Sequence, residues 1–291
     1  MDFRALFMGL AFALIWSSAF TSARIIVVDA PPLASLALRF LTSGIIGVCI
    51  AIMMGQTWRL TRNQWRATFI FGVCQNALYL GLNFVAMQTI EASLASIIAS
   101  TMPLMVAFAG WMVFRDRLPM MAIGGLAAGV VGVVIIMGAR VNQGVDIYGV
   151  ALCGVAAVAL TIATLSMRGA SSGGNLMMVI GLQMLVGSAV LAVTSAAIET
   201  IEVNLTWQLV AAMTYTTLAP GLLATWLWFS LVARIGAVRA ATYHFLNPFF
   251  GVAIAAVLLG ERLGMMDLVG VAIITFGILA VQLSKQSPPQ S

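Results

Sequence analysis

The sequence predicts an all-α integral membrane fold, in which ten transmembrane helices form two inverted five-helix repeats around a central cavity. Three observations lead to this prediction. Of the 291 residues, 62% are apolar and only 8% are charged, which is more apolar surface than a water-soluble domain can bury. The apolar residues fall into ten long segments. A three-residue motif, an acidic residue followed by Arg and Leu, also occurs twice, with its arginines at Arg117 and Arg262, 145 positions apart (262 − 117 = 145).

Each of the ten segments has the length of a membrane-spanning helix, about 20 mostly apolar residues. Barrel strands do not fit, because they need about 10 residues of alternating polarity. Helices follow because lipid offers no partner for backbone amides. The predicted spans cover residues 4–23, 32–54, 67–87, 92–114, 119–138, 147–167, 175–197, 207–232, 238–259 and 264–283. The alternative for the first segment is a cleaved signal peptide, since Arg4 precedes it. Because Gly9 matches Gly154 in the sixth span, we assign it to the repeat.

The two halves of the chain share residues at a constant spacing, which indicates one duplicated unit. The same offset of 145 joins Ile90 to Ile235, Ala92 to Ala237, Ala95 to Ala240, Pro103 to Pro248, Gly125 to Gly270 and Gly132 to Gly277. Such a long period in an apolar chain is typical of transporters built from two structural repeats. We predict a first repeat over 1–143, a second over 144–285 and a disordered cytoplasmic tail over 286–291. The glycines of the fifth and tenth spans should allow these two helices to pack closely.

The basic residues predict the orientation of the chain. One set of loops carries Arg4, Arg59, Arg62, Arg66, Arg115, Arg117, Arg168, Arg234, Arg239 and Lys285, and the other carries Arg24, Arg140 and Arg262. Because basic loops remain in the cytoplasm, both termini are predicted to be cytoplasmic. With an odd number of spans in each repeat, the motifs at Arg117 and Arg262 fall on opposite sides of the membrane. The two halves are therefore expected to be inverted.

Polar side chains within the spans give the best functional signal, because they are costly at membrane depth unless they face a cavity or each other. The third span carries Asn76, Tyr79 and Asn83 on one helical face, with Gln75 one turn before Tyr79. One interpretation is that the amides join neighbouring helices. The other is that the group lines a cavity for a small molecule. We predict the cavity, because four such groups exceed what one helix contact needs.

The ninth span carries Tyr243, His244 and Asn247 directly before Pro248. Proline removes the amide that would bond the carbonyl one turn earlier, and freed backbone groups are tolerated where they line a cavity. The alternative is a satisfied buried histidine in a kinked packing helix. We predict that these side chains line the central cavity with the polar group of the third span. Trp16 of the first span would add a broad apolar wall.

A further set of residues is predicted to have gating or structural roles: Arg39, Pro103, Pro248, Arg117 and Arg262. The two prolines occupy matched positions in the fourth and ninth spans, where bends could close opposite ends of a path. Arg39 is the one charge well inside a span. It could extend outward to the interface, pair with Asp29, or attract a substrate carboxylate, for which its planar fork is suited. Its place away from the midplane favours a structural or gating role.

Other functional classes lack the residues that they require. The sequence has no phosphate-binding loop with its lysine, which argues against an ATP motor, and no Gly-x-Ser-x-Gly motif. Cys49, Cys74 and Cys153 show neither zinc nor disulfide spacing. The formal charge of +5 reflects the loop bias and gives no reason to invoke nucleic acid. We expect no catalytic residue, no metal, no cofactor and no nucleic-acid partner.

Several short motifs in a fixed order make the chain similar to a known family. They are Ile15-Trp16-Ser17-Ser18-Ala19-Phe20, then Pro32 with Leu36-Ala37-Leu38-Arg39-Phe40, then Pro103 with Asp116-Arg117-Leu118, and finally Asn247-Pro248 with Gly260-Glu261-Arg262-Leu263. Over essentially its whole length the chain resembles the drug/metabolite transporter superfamily, in its ten-helix, two-repeat, EamA-type branch. Within that branch it is most similar to bacterial exporters of aromatic and other amino acids.

The resemblance implies an alternating-access carrier of small metabolites with a central cavity between the repeats. Small dimeric relatives use a glutamate in the first helix for proton coupling. This chain has Ser17 and Ser18 in that neighbourhood, so the resemblance does not extend to that coupling route.

We therefore expect an alternating-access exporter of amino acids, including aromatic and large apolar ones. It should work by facilitated diffusion, as a monomer, in the bacterial inner membrane. Amide, phenol and imidazole groups beside Trp16 suit a zwitterion with a variable side chain. His244 is expected to be neutral and to hydrogen-bond the substrate. The alternatives are a proton-coupled multidrug or nucleoside-like metabolite exporter and, from another class, a membrane-embedded enzyme or scaffold. Membrane lipids and the small-molecule substrate are the only partners expected.

Overall fold

The computed structural model describes residues 3–116, 118–166 and 174–284, and within these ranges the regular structure is helical, with no strand. In these ranges ten helices are long and apolar enough to cross a membrane, which confirms the predicted number of spans. We label them α1 (Phe3–Asp29), α2 (Pro32–Met53), α3 (Arg62–Ala86), α4 (Ala92–Phe114), α5 (Met120–Asn142), α6 (Ile147–Ser166), α7 (Leu176–Ile198), α8 (Trp207–Val232), α9 (Ala240–Leu259) and α10 (Met265–Ser284). Arg117 and the predicted tail 286–291 lie outside the described residues.

Three helices are longer than predicted: α5 continues to Asn142 rather than ending near residue 138, and α1 and α3 differ more. α1 continues to Asp29 rather than ending near residue 23, and α3 begins at Arg62 rather than near residue 67. Thr61 starts α3 through a capping box: its hydroxyl accepts a hydrogen bond from the Gln64 amide (3.3 Å), and the Gln64 side chain accepts one from the Thr61 amide (2.8 Å). This reciprocal cap allows the polar first turn to be helical, and apolarity alone does not report such a turn.

Four spans contain irregular segments at positions that match between the halves. α4 is interrupted at Thr101, just before Pro103, and α9 has a 3₁₀ segment over Tyr243–Leu246, just before Pro248. The regular helix is therefore interrupted just before each of the two prolines. α3 contains a π-helical segment over Gly72–Tyr79, and α8 contains one over Thr217–Leu223. The latter two start 145 positions apart (217 − 72 = 145), the same offset as the sequence repeat.

The chain divides into two compact units, each with segments from both halves of the sequence. The first unit consists of the described parts of 1–21, 89–151 and 222–291, and the second of the described parts of 22–88 and 152–221. α4, α5, α9 and α10 lie in the first unit. α2, α3 and α7 lie in the second.

In the first unit, α5 and α10 pack through glycines in a symmetric manner. A Cβ atom added to Gly125 would lie 2.6 Å from the Gly277 carbonyl oxygen, and one added to Gly277 would lie 2.6 Å from that of Gly125. Gly132 and Gly270 approach each other in the same reciprocal way, at 2.9 Å in both directions. Since Gly125 pairs with the far end of α10, the two repeat-related helices run antiparallel. This is the arrangement that inverted repeats require.

In the second unit, α2 and α7 cap each other. The Glu199 carboxylate, directly after α7, accepts hydrogen bonds from the amides of Leu33 and Ala34 at the start of α2, both at 2.9 Å. Gln56, directly after α2, accepts one from the amide of Met178 at the start of α7 (3.0 Å). Each helix therefore begins where the other ends. Leu33 and Met178 are 145 positions apart (178 − 33 = 145), so this repeat-related pair is also antiparallel.

The junction between the two halves is a short turn in the first unit. Gly144 adopts a left-handed conformation (φ +81°). Asp146 then caps α6 by accepting hydrogen bonds from the amides of Tyr148 and Gly149, both at 3.1 Å. The Thr89 hydroxyl donates to the same carboxylate at 2.5 Å. This bond, followed by the two backbone bonds, lowers the pKa of Asp146.

Opposite orientation of the halves can be tested with reporter fusions. Alkaline phosphatase fused after Gln143 should be active, because five spans carry that position to the outer side. The same reporter fused after Asp116, in the loop before α5, should be inactive and serves as the matched control. Phosphatase activity at Asp116 with none at Gln143 would contradict the assigned topology.

The glycine contact in the first unit makes a second prediction. Gly125→Ala should lower unfolding stability in detergent by about 1–3 kcal/mol, because the added methyl group meets a backbone oxygen that cannot rotate away. Gly124→Ala is the control, since a Cβ there meets nothing within 4 Å. The assignment of α5 and α10 as a close-packed pair is wrong if the two variants unfold at the same temperature.

Candidate functional site

The predicted polar group of the third span lies in the second unit, and its amides bond to protein atoms. Asn76, Tyr79 and Asn83 are all buried. The side-chain amide of Asn76 donates to the Gln183 carbonyl of α7 (2.9 Å), and that of Asn83 donates to the Tyr79 carbonyl (2.7 Å). Asn76 thus joins α3 to α7, as the helix-joining interpretation described.

The π-helical segment explains how these contacts form. A wider turn over Gly72–Tyr79 changes which carbonyls are bonded within the helix, and the Asn83 amide takes up the one at Tyr79. The Asn83 carbonyl oxygen in turn accepts a hydrogen bond from the Cys153 thiol (3.3 Å). None of the described residues hydrogen-bonds to the Tyr79 hydroxyl. Of the three predicted residues, Tyr79 therefore retains a polar group that a bound molecule could use.

In the first unit, His244 lies in an aromatic cluster that also contains Phe12, Trp16 and Trp228. The imidazole ring is 5.4 Å from the Phe12 ring, edge to face, and 5.2 Å from the Trp228 ring. Phe12 is also 5.7 Å from Trp16 and 5.0 Å from Trp228. The structure thus brings Trp16 and His244, two predicted site residues, to one aromatic cluster.

Asn247 supplies the polar side of this cluster. Its side-chain nitrogen lies 2.9 Å from Nδ1 of His244, and its backbone carbonyl accepts a hydrogen bond from the Ser17 hydroxyl (3.3 Å). With the amide donating to Nδ1, the ring proton resides on Nε2. The Asn247 side-chain oxygen is buried and has no hydrogen-bond partner. An unsatisfied buried acceptor is costly, so this oxygen is a candidate to bind a donor from a ligand.

Tyr243 packs against a neighbouring group of apolar residues, which Trp228 also contacts. In a regular helix it would share a face with Asn247. In the 3₁₀ segment its ring instead packs against Gly9 and the apolar residues Ala5, Leu231 and Ala240. Gly9 is required here, because a Cβ atom would overlap the tyrosine ring.

Arg39 is buried in α2, with 6% of its surface exposed. Its guanidinium lies over the Phe40 ring at 5.2 Å. The pairing with Asp29 that the sequence allowed does not occur. Asp29 instead accepts hydrogen bonds from Asn204 (3.1 Å) and Thr206 (2.6 Å), because α1 extends far enough to place it at the loop before α8.

The residues flanking Arg262 have a structural function that the sequence did not reveal. Glu261 accepts hydrogen bonds from the amides of Ala92 (2.8 Å) and Ser93 (3.0 Å), the first residues of α4. A carboxylate at a helix N-terminus satisfies free amides and opposes the helix dipole. Arg262 itself is exposed. The acid that precedes it therefore makes the contact with α4.

A buried ion cluster in the first unit was also missed. Arg140, which the sequence placed in a loop, is buried and donates one hydrogen bond from Nε to Asp267 (3.0 Å) and one from Nη1 to Glu91 (2.6 Å). Its Nη2 atom also lies 2.9 Å from the Asp267 carboxylate, as an ion pair. The antiparallel register of the α5 and α10 glycines brings the end of α5 to the start of α10. The Arg140–Asp267 pair could therefore have been predicted from the matched glycines of α5 and α10, if these helices are taken as antiparallel.

An open cleft of about 670 Å³ lies in the second unit, between the α1–α2 and α7–α8 loops. Its walls are formed by residues 27–32, Gln88 and part of 198–204. Asp29 and Glu199 lie in these walls, but both carboxylates already bond protein groups. The cleft therefore offers fewer free polar atoms than its composition suggests.

Comparison with known proteins agrees with this architecture. The model of the EamA-like transporter family matches residues 3–138 and 147–283. The chain is 24% identical to the uncharacterized transporter YvbV of Bacillus subtilis over 96% of this chain and 92% of that protein. It is 26% identical to the uncharacterized inner membrane transporter YedA of Escherichia coli over 98% and 94%.

Two further similarities cover almost the full length. A protein of Salmonella typhimurium described as a probable amino-acid metabolite efflux pump is 24% identical over 94% of this chain and 92% of that protein. A crystal structure superposes with a TM-score of 0.69 at 18% identity, covering 98% of this chain and 99% of the other, which shows a shared fold. With the family model matching both halves, the chain belongs to the EamA-like transporter family, and it is a multi-pass membrane transporter of small molecules.

Proposed function

We propose that this transporter exports amino acids, including aromatic and large apolar ones, across a bacterial inner membrane by alternating access. The observation that carries the proposal is the break in α9, which sets His244 and the unsatisfied Asn247 oxygen beside Phe12, Trp16 and Trp228. Broken transmembrane helices that expose polar groups are the usual binding elements of transporters built from repeats.

The chemistry of this cluster suits an amino acid better than an ion or a sugar. The aromatic rings of Phe12 and Trp228 form an apolar surface for a substrate side chain. The Asn247 oxygen is a hydrogen-bond acceptor that has no protein donor, and an ammonium group has three donors. A substrate with an ammonium group and an apolar side chain thus uses both sides of the cluster.

In the second unit we assign a separate substrate contact to Tyr79, because its hydroxyl has no hydrogen-bond partner among the described residues. Asn76 and Asn83 hold the π-helical segment in place through the bonds described above. Pro103 and Pro248 mark the two matched positions where α4 and α9 could flex as the path opens on alternate sides. The similarity to an amino-acid metabolite efflux pump supports the same substrate class.

Purified protein in liposomes tests the substrate class and the site together. Labelled phenylalanine and leucine should cross the membrane, and labelled organic cations and nucleosides should not. His244→Ala, Tyr79→Ala and Trp228→Ala should each reduce amino-acid flux by about tenfold or more, equivalent to roughly 1.4 kcal/mol of lost interaction.

Trp226→Ala is the matched control, because Trp226 lies on the same helix with 58% of its surface exposed. It should leave flux within about twofold, as expected for a surface substitution. Transport of cations or nucleosides in place of amino acids would refute the proposed substrate. Normal flux in all three site variants would refute the proposed site.

We further propose that transport is uncoupled from protons and that the protein acts as a monomer, since one chain supplies both repeats. An imposed pH gradient should then change neither the plateau nor the direction of phenylalanine flux in liposomes. Counterflow with phenylalanine on both sides is the positive control for a working carrier. Uphill accumulation driven by the gradient alone would contradict the uncoupled mechanism. If His244→Gln abolished that accumulation while retaining counterflow, the histidine would be the coupling group.

A further inference from the structure

We propose that Arg39 and Ser43 form a site within the second unit that binds the carboxylate of an amino acid. The identity of the ligand rests on the proposed function, whereas the anion site itself does not.

The first step is that Arg39 lacks a counter-ion. The guanidinium remains charged in proteins, and it is buried within a membrane span. No residue in the described parts of the chain accepts a hydrogen bond from it or forms an ion pair with it, and its Nε atom is buried without a partner. The Phe40 ring contributes a cation–π contact, which is weaker than the cost of burying an isolated charge. The ring alone therefore does not offset that cost.

The other buried arginine in a span shows how the same chain neutralises such a charge. Arg140 receives two carboxylates, Asp267 and Glu91, within 3.0 Å. Arg24 of α1, in the same unit as Arg39, donates to the Met87 carbonyl. Of these three arginines, Arg39 is the one without a hydrogen-bond acceptor among the described residues. A carboxylate of a bound ligand would supply that acceptor and neutralise the charge.

A second hydrogen-bond donor, the Ser43 hydroxyl, lies close to Arg39. Ser43 lies one helical turn after Arg39, and its hydroxyl is buried without a hydrogen-bond partner. The backbone of α8 comes close to both residues at Gly221: a Cβ atom there would lie 3.2 Å from the Thr216 carbonyl oxygen, 3.7 Å from the Ser43 oxygen and 3.9 Å from Nη2 of Arg39. Two donor side chains on α2 therefore flank one position on α8 that has no side chain.

The position of Gly221 makes this close approach a property of the fold. Gly221 follows Pro220 in the π-helical segment of α8, a type of irregularity that is frequent at functional sites. Because glycine has no side chain, the α8 backbone can lie close to Arg39.

The third step concerns the charge of the ligand. Arg39 is the one basic residue in α2, in α7 and in the part of α8 that belongs to this unit (residues 32–53, 176–198 and 207–221). One positive charge is balanced by one negative charge, so a monoanion fits and a phosphate dianion would leave an excess. A guanidinium binds a carboxylate through two parallel hydrogen bonds, and Ser43 can donate a third. The α-carboxylate of an amino acid meets this description.

The test measures binding by the thermal stability of the purified full-length protein, independently of transport. The probes are L-phenylalanine, 3-phenylpropanoate, which lacks the amino group, and phenethylamine, which lacks the carboxylate. Both carboxylates should raise the melting temperature of the wild type in a saturable manner, and phenethylamine should not. Sodium phosphate at equal ionic strength should give no saturable effect.

Variants then assign the effect to Arg39. Arg39→Gln should weaken the apparent affinity for 3-phenylpropanoate by at least about tenfold, and Arg39→Lys should weaken it less, because the charge is kept but the planar fork is lost. Ser43→Ala should produce a smaller loss. Arg66→Gln is the matched control, since Arg66 lies in the same unit and is exposed.

The outcomes separate this inference from the proposed function. Arg39-dependent binding of 3-phenylpropanoate without amino-acid flux would support the anion site and refute the amino-acid exporter. Equal protection by phenylalanine and phenethylamine in the wild type would overturn the anion site even if amino acids are exported. Protection by phosphate instead of carboxylates would overturn the assigned ligand. Should Arg39→Gln fail to fold, the wild-type ligand series and Arg39→Lys still decide between these results.

Discussion

Lipid hydrocarbon offers no hydrogen-bond partner to a backbone group or to a charge, and this constraint determines where the chain can depart from regular helix. The four irregular segments, at Gly72–Tyr79, Thr101, Thr217–Leu223 and Tyr243–Leu246, lie within spans. Each must find partners inside the protein or in water. Asn83 supplies a partner in α3, where its amide bonds the Tyr79 carbonyl. In α9 the break leaves a polar group, the Asn247 oxygen, without any. By the same constraint, a buried arginine needs a partner. Arg140 has two carboxylates within the protein, whereas the unpaired Arg39 points to a partner from a ligand.

Because the chain is a duplicated unit, the irregular segments occur at matching positions in both halves. Matched irregularities 145 positions apart mean that each half carries one broken and one widened helix. The reciprocal contacts of Gly125 with Gly277 and the reciprocal capping of α2 and α7 hold repeat-related helices antiparallel. Two equivalent but inverted halves allow one set of bends to open toward either side of the membrane. The irregular segments can then serve both as substrate contacts and as the points where helices bend.

The sequence predicted the ten spans and the duplication, because hydropathy and a fixed offset can be read directly from it. It also predicted that Pro103 and Pro248 weaken their helices, and an irregular segment precedes each of them. It placed Trp16, His244 and Asn247 among the site residues, and the structure brings these three together. It did not predict the π-helical segments, since a wider turn leaves no compositional trace in α3. The separate packing of Tyr243 depends on the 3₁₀ geometry that follows from Pro248. The Arg140–Asp267 pair and the absence of an Asp29–Arg39 pair depend on helix register and helix length, which were known only approximately from the sequence.

The central claim is that the irregular segment of α9 borders a water-accessible path for the substrate and is not a packing defect closed to solvent. Hydrogen–deuterium exchange of the wild-type protein in lipid nanodiscs tests it most directly. The amides of Tyr243–Asn247 should exchange much faster than those of 252–258 in the regular part of the same helix, and phenylalanine should slow the former only. Equal protection of both segments over hours, unchanged by phenylalanine, would show that water does not reach the break and would contradict the account.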